Sequence, residues 1–348
     1  MFVFVVIVPL VALAMELLLQ RSLEKRVWHW VLLFFIIGFA HALGSRCVGC
    51  SNYDDYANIY EKQGELLDTL GLLGFYDLDA NQTYEFIFYA IFKVVVTLLP
   101  KVYWLAGFAF LSMYLLYTAL KSYLHPREIL LILVLSSVGI STQMIRQYLS
   151  WSLLLLVLTT SSRRFYIGSI LGSFFIHHSA VIFYAKYILA KYFKWKILAI
   201  GVLLYLCSNL IFDTILTLDY YSIQFLTSEV GLDPDVLSYN KLFIPRIVFL
   251  ILVAIILVIH GRHSLILWFI IVSIVIFILT YSLPLFPVRF NLLLLSNSVG
   301  LCVIALLRHF KISRLSILYI LALFMFYVKI YYLTNGDFHL WSRYNVWI

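Results

Sequence analysis

Charged side chains are scarce in this chain. Asp, Glu, Lys and Arg make up 12% of its 348 residues, whereas they make up about 25% of a soluble globular domain. Hydrophobic residues make up 64%, and the mean hydropathy is +0.99. Many apolar runs have about the 17–22 residues that a helix needs to cross a bilayer. The composition therefore predicts an all-α polytopic membrane protein, with residues 1–348 forming a single integral membrane domain.

Cysteines are also few, and the familiar catalytic motifs are absent from the sequence. Four cysteines are too few for a disulfide framework. Cys47 and Cys50 form a CxxC pair, but the second pair that a structural zinc site normally needs is missing. The chain contains no GxxxxGK[ST], HExxH or GxSxG sequence that would name a reaction. We therefore predict no metal and no cofactor.

The few charges that are present predict the topology. Lys and Arg concentrate in short loops, which the positive-inside rule places in the cytoplasm. Twelve of the 17 acidic residues lie in two long loops, 44–83 and 213–243, which are then periplasmic. The net charge of +8 follows from those cationic loops, and no basic stripe with interleaved aromatics indicates a nucleic-acid partner. About twelve transmembrane helices are predicted, near residues 2–20, 27–43, 102–120, 129–145, 147–160, 165–178, 180–192, 197–212, 244–260, 265–282, 290–307 and 315–333.

One further apolar segment, residues 84–100, does not fit as a span. If it crossed completely, Lys121 and Arg127 would lie outside and the sign of every later loop would reverse. We therefore predict a re-entrant or interfacial helix on the outer side, which is possible where irregular backbone lines a protein cavity.

Polar residues converge on the outer face in this topology. An arginine in an apolar chain marks a pathway, a site or a segment end, and Arg146 falls at the outer junction of two predicted helices. The candidate site residues at the same level are Arg46, Asp54 or Asp55, Tyr56, Glu85, Arg146, Gln147, His177, Arg246 and Arg289. Each also has an ordinary explanation, such as an arginine anchored to lipid phosphates or a histidine that caps a hairpin.

Taken together, these residue types favour chemistry on a phosphate-bearing lipid. Arginine binds phosphate and diphosphate bidentately and keeps its charge at any working pH. A carboxylate or histidine beside it can take a proton from a hydroxyl group. The pattern alone does not name the reaction.

The order of the motifs resembles the EpsG/Wzy-type family of bacterial polysaccharide polymerases. The resemblance rests on Arg46-Cys-Val-Gly49 followed by acidic residues and Tyr56, then on Glu85, Ile145-Arg146-Gln147, the stretch Phe175-Ile-His177-His178-Ser179-Ala180, and Arg289. It spans roughly residues 40–290. The family aspartate usually follows the glycine by two positions, where this chain has Ser51, so Asp54 or Asp55 takes that place or the role is absent.

The resemblance implies a glycosyltransferase of the bacterial inner membrane with its site facing the periplasm. Its donor and acceptor would be oligosaccharide repeat units on undecaprenyl pyrophosphate, as in O-antigen and lipopolysaccharide synthesis. Arg146 and Arg289 would bind the pyrophosphate, with Arg46 or Arg246 assisting. Asp55, Glu85 or His177 would act as base or orient the acceptor. Its partners would be membrane lipids and a chain-length regulator.

Three alternatives remain open at this point. A flippase or transporter of the same lipid-linked oligosaccharide also needs arginines, but it needs a polar path through the membrane as well. An O-antigen ligase differs from a polymerase only in its acceptor. The pair His177 and His178 also fits a membrane O-acyltransferase.

Overall fold

The computed structural model describes residues 2–19, 23–44, 55–78, 85–136, 145–159, 170, 172–177, 180–207, 244–261, 265–280 and 300–308. These residues are helical or form turns between helices, and no strand occurs among them. They divide into two compact units: the described residues up to Val181 form the first, and those from Ile182 onward form the second. The predicted all-α class is confirmed for this part of the chain.

In the described ranges the first unit contains seven long α-helices, besides the short helical stretch 172–176. They are α1 (Phe2–Leu19), α2 (Lys25–Gly44), α3 (Asp55–Leu78), α4 (Phe86–Leu98), α5 (Trp104–Leu120), α6 (Pro126–Ser136) and α7 (Ile145–Thr159). Helix α5 packs against both α2 and α7, while α1 packs on α2 and α3 packs on α4. α8 (Ala180–Ile188) begins at the end of this unit.

Helices α3 and α4 form an antiparallel pair. α3 lies within the predicted loop 44–83, and α4 follows that loop in the sequence. Phe75 lies against Tyr89, with their ring centroids 4.8 Å apart, and Lys93 lies 3.6 Å from Asp68. α3 is kinked at Gly71, whose φ of 71° lies in the left-handed region that glycine adopts without a steric penalty. Pro100 follows α4 in an extended conformation, because proline lacks the N–H that would continue the helix.

An aromatic core joins this helix pair to the rest of the first unit. Phe88 stacks on Phe108 of α5 at 5.2 Å, and Phe92 meets the same ring edge-on at 5.1 Å. Leu149 of α7 and Ile176 belong to the same buried cluster. Since such packed aromatic pairs stabilise beyond their buried area, the start of α4 is held close to α7 and to residue 176.

A buried carboxylate ties α1, α2 and α6 together. Glu16 Oε1 accepts hydrogen bonds from the Trp28 indole and from the Leu23 backbone N–H, both at 2.8 Å. Its Oε2 accepts one from Arg127 Nη1 at 2.6 Å. A buried charge is tolerated only when it is paired and hydrogen-bonded, and this one has three donors. The sequence pattern did not indicate this contact.

Among the described residues, the second unit contains the remainder of α8 and three further helices, α9 (Lys196–Leu206), α10 (Ile244–Ile259) and α11 (Leu265–Thr280). Residues 300–308 are also helical. A short π-helical turn, Leu189–Phe193, follows α8. α11 packs on α9, on α10 and on that turn. Lys186 is fully buried, and its ammonium lies 3.8 Å from the Phe269 ring centroid, where the ring face attracts a cation.

The described helices agree with the predicted apolar segments to within a few residues at several boundaries. In segment 129–145 the described helix α6 covers residues up to Ser136, and residues 137–144 lie outside the described ranges. The predicted re-entrant segment 84–100 contains α4, a helix of 13 residues. Judged by length and hydropathy together, none of the helices in the described ranges meets the requirement for a membrane span. The count of twelve spans stays a prediction.

Candidate active site

Three residues far apart in the sequence meet where helices begin or end. Glu85 directly precedes α4, with φ −110° and ψ 34°, and Arg146 is the second residue of α7. His177 follows the helical residues 172–176, and its carbonyl accepts the Ala180 N–H at 3.0 Å. These positions let polar side chains reach one point without interrupting the apolar face of a helix.

The Glu85 carboxylate lies between the other two side chains. Its Oε2 accepts a hydrogen bond from Arg146 Nη1 at 2.5 Å, and its Oε1 lies 3.5 Å from His177 Nε2. The side chains of Glu85 and His177 are each 10% exposed, whereas that of Arg146 is 29% exposed. One carboxylate therefore links an accessible cation to a nearly buried imidazole.

Burial governs the electrostatics of this cluster. Glu85 lies outside the predicted spans, and burial raises the pKa of its carboxyl above the ordinary value of 4.5, while the charge and hydrogen bond of Arg146 oppose that rise. A raised pKa brings a carboxyl closer to the pH at which it can exchange protons with a substrate. Such perturbed groups are more frequent at functional sites, although structural ion pairs show them too.

The aromatic core supports the arginine from one side. The Arg146 guanidinium carbon lies 5.9 Å from the centroid of the Phe88 ring, within the range of a cation–π interaction. Phe88 is three residues after Glu85, so it lies on the same face of the first turn of α4. The ring and the carboxylate together restrict the directions in which the guanidinium can point.

Ser150 connects α7 to the segment that carries His177. Its hydroxyl donates to the Ser173 carbonyl at 2.9 Å, and the His177 carbonyl lies 3.3 Å away. Ser150 is fully buried and follows Arg146 by four residues, which places both on one side of the helix. The serine therefore fixes the backbone of residues 173–177 against the helix that presents the arginine.

The start of α7 also carries buried polar atoms whose hydrogen-bonding capacity is not used. Among the residues that the structure describes, Gln147 Oε1, the Tyr148 hydroxyl and the Ser152 hydroxyl have no hydrogen-bond partner. An unsatisfied buried polar atom costs about 1–3 kcal/mol. Gln147, the neighbour of Arg146, thus carries a buried acceptor oxygen without a partner among the described residues.

The structure brings together three of the predicted site residues: Glu85, Arg146 and His177. Asp55 and Tyr56 are the first two residues of α3 and Arg246 is the third of α10, but their side chains are outside the described part of the structure. Arg46, Asp54 and Arg289 lie outside the described residues altogether. Their predicted roles stay predictions.

Two contributors were missed by sequence reasoning. Ser150 and Phe88 are an ordinary serine and an ordinary phenylalanine in apolar runs. Spacing gave a signal, because each lies three or four residues from a predicted site residue on the same helix. No group of three or more His, Cys, Asp or Glu side chains in the described ranges is arranged to hold a metal ion.

Comparison with known proteins adds one match. The model of the EpsG family matches residues 27–346, a range that includes all three clustered residues. No curated protein and no solved structure matches the chain.

Proposed function

This chain belongs to the EpsG family, and we propose that it polymerises lipid-linked oligosaccharide repeat units. Membership of the family indicates, in general terms, a membrane-located polysaccharide polymerase of the glycosyltransferase type. The proposal adds the donor, the chemistry and the residues. It rests on one observation above all, the buried Glu85 carboxylate that contacts both Arg146 and His177.

In the proposed reaction, a hydroxyl of the acceptor sugar attacks the anomeric carbon of the donor glycan. The bond between that carbon and the diphosphate oxygen breaks, and the lipid diphosphate leaves with additional negative charge. The acceptor hydroxyl loses its proton to the protein. Such a reaction needs a fixed cation beside the leaving group and a proton acceptor beside the attacking group.

Arg146 supplies the cation. A guanidinium carries five N–H donors, and the bond to Glu85 uses an Nη1 donor. Since 29% of the side chain is exposed, part of the guanidinium is accessible to a diphosphate. Glu85 and the Phe88 ring hold it in place before the substrate arrives, so little reorganisation is needed in the transition state.

Glu85 and His177 supply the proton acceptor. The imidazole of a histidine is a side chain that can take up a proton at physiological pH. The carboxylate oxygen at 3.5 Å stabilises the imidazolium that then forms. Gln147 Oε1, which lacks a partner in the described part of the chain, accepts a hydrogen bond from a sugar hydroxyl.

The charge of the cluster argues for further arginines. Arg146 and Glu85 cancel one another, so the pair gives no net positive charge toward a diphosphate. Arg46, Arg246 and Arg289 are the candidates that supply it. With several arginines around the leaving group, the transfer proceeds without a metal.

The remaining elements of the proposal follow from the topology. The site faces the periplasm of a bacterial inner membrane, where undecaprenyl-pyrophosphate-linked units arrive after they are flipped. Both donor and acceptor are such units, and a chain-length regulator is the expected protein partner. Asp55 and Tyr56, at the start of α3, contribute to acceptor binding.

The test uses cells that make the matching repeat unit but lack their own polymerase. The wild-type chain or the Glu85→Gln variant is expressed, and the surface glycan is separated on a gel. We expect a ladder with the wild type and single repeats with the variant at equal membrane abundance. Arg26→Gln, an exposed residue at the start of α2, is the control and retains the ladder.

Three results would contradict the proposal. A normal ladder from Glu85→Gln would remove the cluster from the reaction. Lipid-linked units stranded in the inner leaflet when the chain is deleted would indicate a flippase instead. If the chain is needed to attach a single repeat unit to a lipid core, and no ladder forms, the result would indicate a ligase.

A further inference from the structure

An open cleft lies between α3 and the turn that joins α4 to α5, away from the Glu85 cluster. It has a volume of about 830 Å³, which falls within the range of ligand pockets in proteins. The residues that line it include Lys62, Glu65, Asp68, Thr69, Lys101 and Trp104. All belong to the first unit.

The walls of this cleft are held by contacts between the two helices. Lys101 Nζ lies 2.6 Å from Glu65 Oε1, and the Trp104 indole donates to the Leu99 carbonyl at 3.0 Å. Gly64 allows close approach, because a Cβ there would lie 2.3 Å from the Trp104 ring. Exposed ion pairs contribute little to stability, so the lysine and the glutamate can exchange partners when a ligand enters.

The lining is neutral and amphipathic. Two lysines and two carboxylates cancel, while Val96, Leu99 and Trp104 form an apolar part of the wall. The Thr69 hydroxyl donates its proton to the Glu65 carbonyl at 2.7 Å, so its oxygen adds an acceptor. A neutral lining does not suit a diphosphate or an anionic lipid headgroup, which calls for net positive charge. It suits a saccharide, whose hydroxyl edges form hydrogen bonds and whose C–H faces pack on apolar surface.

The cleft is separate from the proposed transfer site. Glu85 precedes the first residue of α4, and Val96, which lines the cleft, is eleven residues further along. At 1.5 Å per helical residue the two are separated by about 17 Å. One sugar cannot contact both sites.

We propose that this cleft binds the glycan strand at a position several sugars away from the reacting one. This inference deepens the proposed function and rests on it for the identity of the strand. Lys62, Glu65, Asp68, Thr69 and Lys101 bind sugar hydroxyls, and the wall at Trp104 packs against the strand. Holding a long strand raises its effective concentration at the transfer site, so chain length depends on the cleft.

The test measures binding separately from transfer. The full chain is purified in lipid nanodiscs, and its affinity is measured by fluorescence anisotropy for a labelled oligosaccharide of a few repeat units, released from the surface glycan of the host strain. The double variant Lys62→Met, Thr69→Val removes an ammonium and a hydroxyl while keeping side chains of similar size. We expect it to bind about tenfold more weakly, because it loses hydrogen bonds to the ligand.

Two matched variants complete the design. Lys196→Met changes an exposed lysine at the start of α9 and is expected to bind as the wild type does. Lys25→Met changes an exposed lysine at the start of α2 and is also expected to bind the oligosaccharide normally, because the cleft does not include Lys25. In the cellular assay the Lys62, Thr69 double variant is expected to give a shorter ladder.

The outcomes separate the two proposals. Binding by the double variant within twofold of the wild type would overturn the cleft as a glycan site, even if the wild type forms a ladder. Displacement of the oligosaccharide by vesicles of anionic phospholipid would also overturn it, in favour of a lipid site. Weakened binding by the double variant in a chain that makes no ladder would support the cleft and contradict the polymerase.

Discussion

Glu85 Oε2 accepts a hydrogen bond from Arg146 Nη1 at 2.5 Å across 61 residues of sequence. The same carboxylate reaches His177 with its other oxygen. The carboxylate therefore links two side chains that come from different segments of the first unit. Changes at Glu85 and Arg146 are therefore expected to be non-additive, as is usual for residues of one network.

Replacing Arg146 by lysine tests whether its geometry matters beyond its charge. Lysine keeps a positive charge but lacks the planar fork that can bind a carboxylate and a phosphate at the same time. We expect polymer formation to fall about 100-fold, as it does when one transition-state donor is lost. The rate of ladder formation in isolated membranes is the measurement. A rate within a factor of three of the wild type would show that charge alone suffices.

The pH dependence of polymerisation tests the role of Glu85. Burial raises the pKa of this carboxyl above 4.5, and the proposed mechanism needs the ionised form. Activity should therefore be lost as the pH falls through a raised pKa, at a higher pH than an ordinary glutamate would give. The rate of transfer is measured across that range in membranes from wild type and from Glu85→Gln. If the residual activity of the variant has the same acid limb, that limb belongs to another group.

Ser150 offers a test of positioning with an internal control. Ser150→Ala removes the hydrogen bond from α7 to the Ser173 carbonyl, so that this carbonyl keeps only its local bond from the His177 N–H at 3.1 Å. We expect about a tenfold loss of polymerisation rate, equivalent to about 1.4 kcal/mol in the barrier, with a pH profile that shifts as His177 moves. Ser152→Ala makes the same change at an equally buried serine whose hydroxyl has no partner among the described residues. Equal losses in both variants would show a packing effect rather than a positioning one.

Glu16 is expected to matter for folding and not for chemistry. Glu16→Gln removes the charge that pairs with Arg127 and weakens the bond to Trp28. Breaking one side of a buried ion pair costs about 3–5 kcal/mol, so the melting temperature in detergent and the membrane abundance should fall. Glu24→Gln, at an exposed position, should leave both unchanged. Activity per folded molecule should stay at the wild-type level in both variants.

Replacing Gly64 by alanine tests how closely α3 packs on the turn between α4 and α5. Gly64→Ala places a methyl group within 2.3 Å of the Trp104 ring, so the helix or the ring must shift. We expect a lower melting temperature and weaker oligosaccharide binding in the cleft. Gly172→Ala is the control, because its Cβ would lie 3.9 Å from the nearest side-chain atom, an ordinary contact. Unchanged melting of Gly64→Ala would mean that Trp104 is not confined there.

The helical class and the position of many helices could be predicted from the sequence alone. Long apolar runs bury their backbone groups only as helices when water is excluded, so composition and run length suffice. The breaks between apolar runs also predicted helix boundaries. Glu85 directly precedes α4, Pro100 follows it, and Arg146 lies in the first turn of α7. The order of the motifs in the sequence indicated the EpsG family, and the model of that family matches residues 27–346.

The choice of polar residues that contact one another, in contrast, depends on the tertiary packing. Nine candidates shared a predicted membrane level, but level does not specify contact, and three of them form one cluster in the described part of the chain. That selection arises from the packing of Phe88 and Phe108 and from the Ser150 bond to the Ser173 carbonyl. Neither the ion pair of Glu16 nor the cleft at Gly64 could be predicted from the sequence. Each depends on residues from different helices, and side-chain packing determines how closely those helices approach.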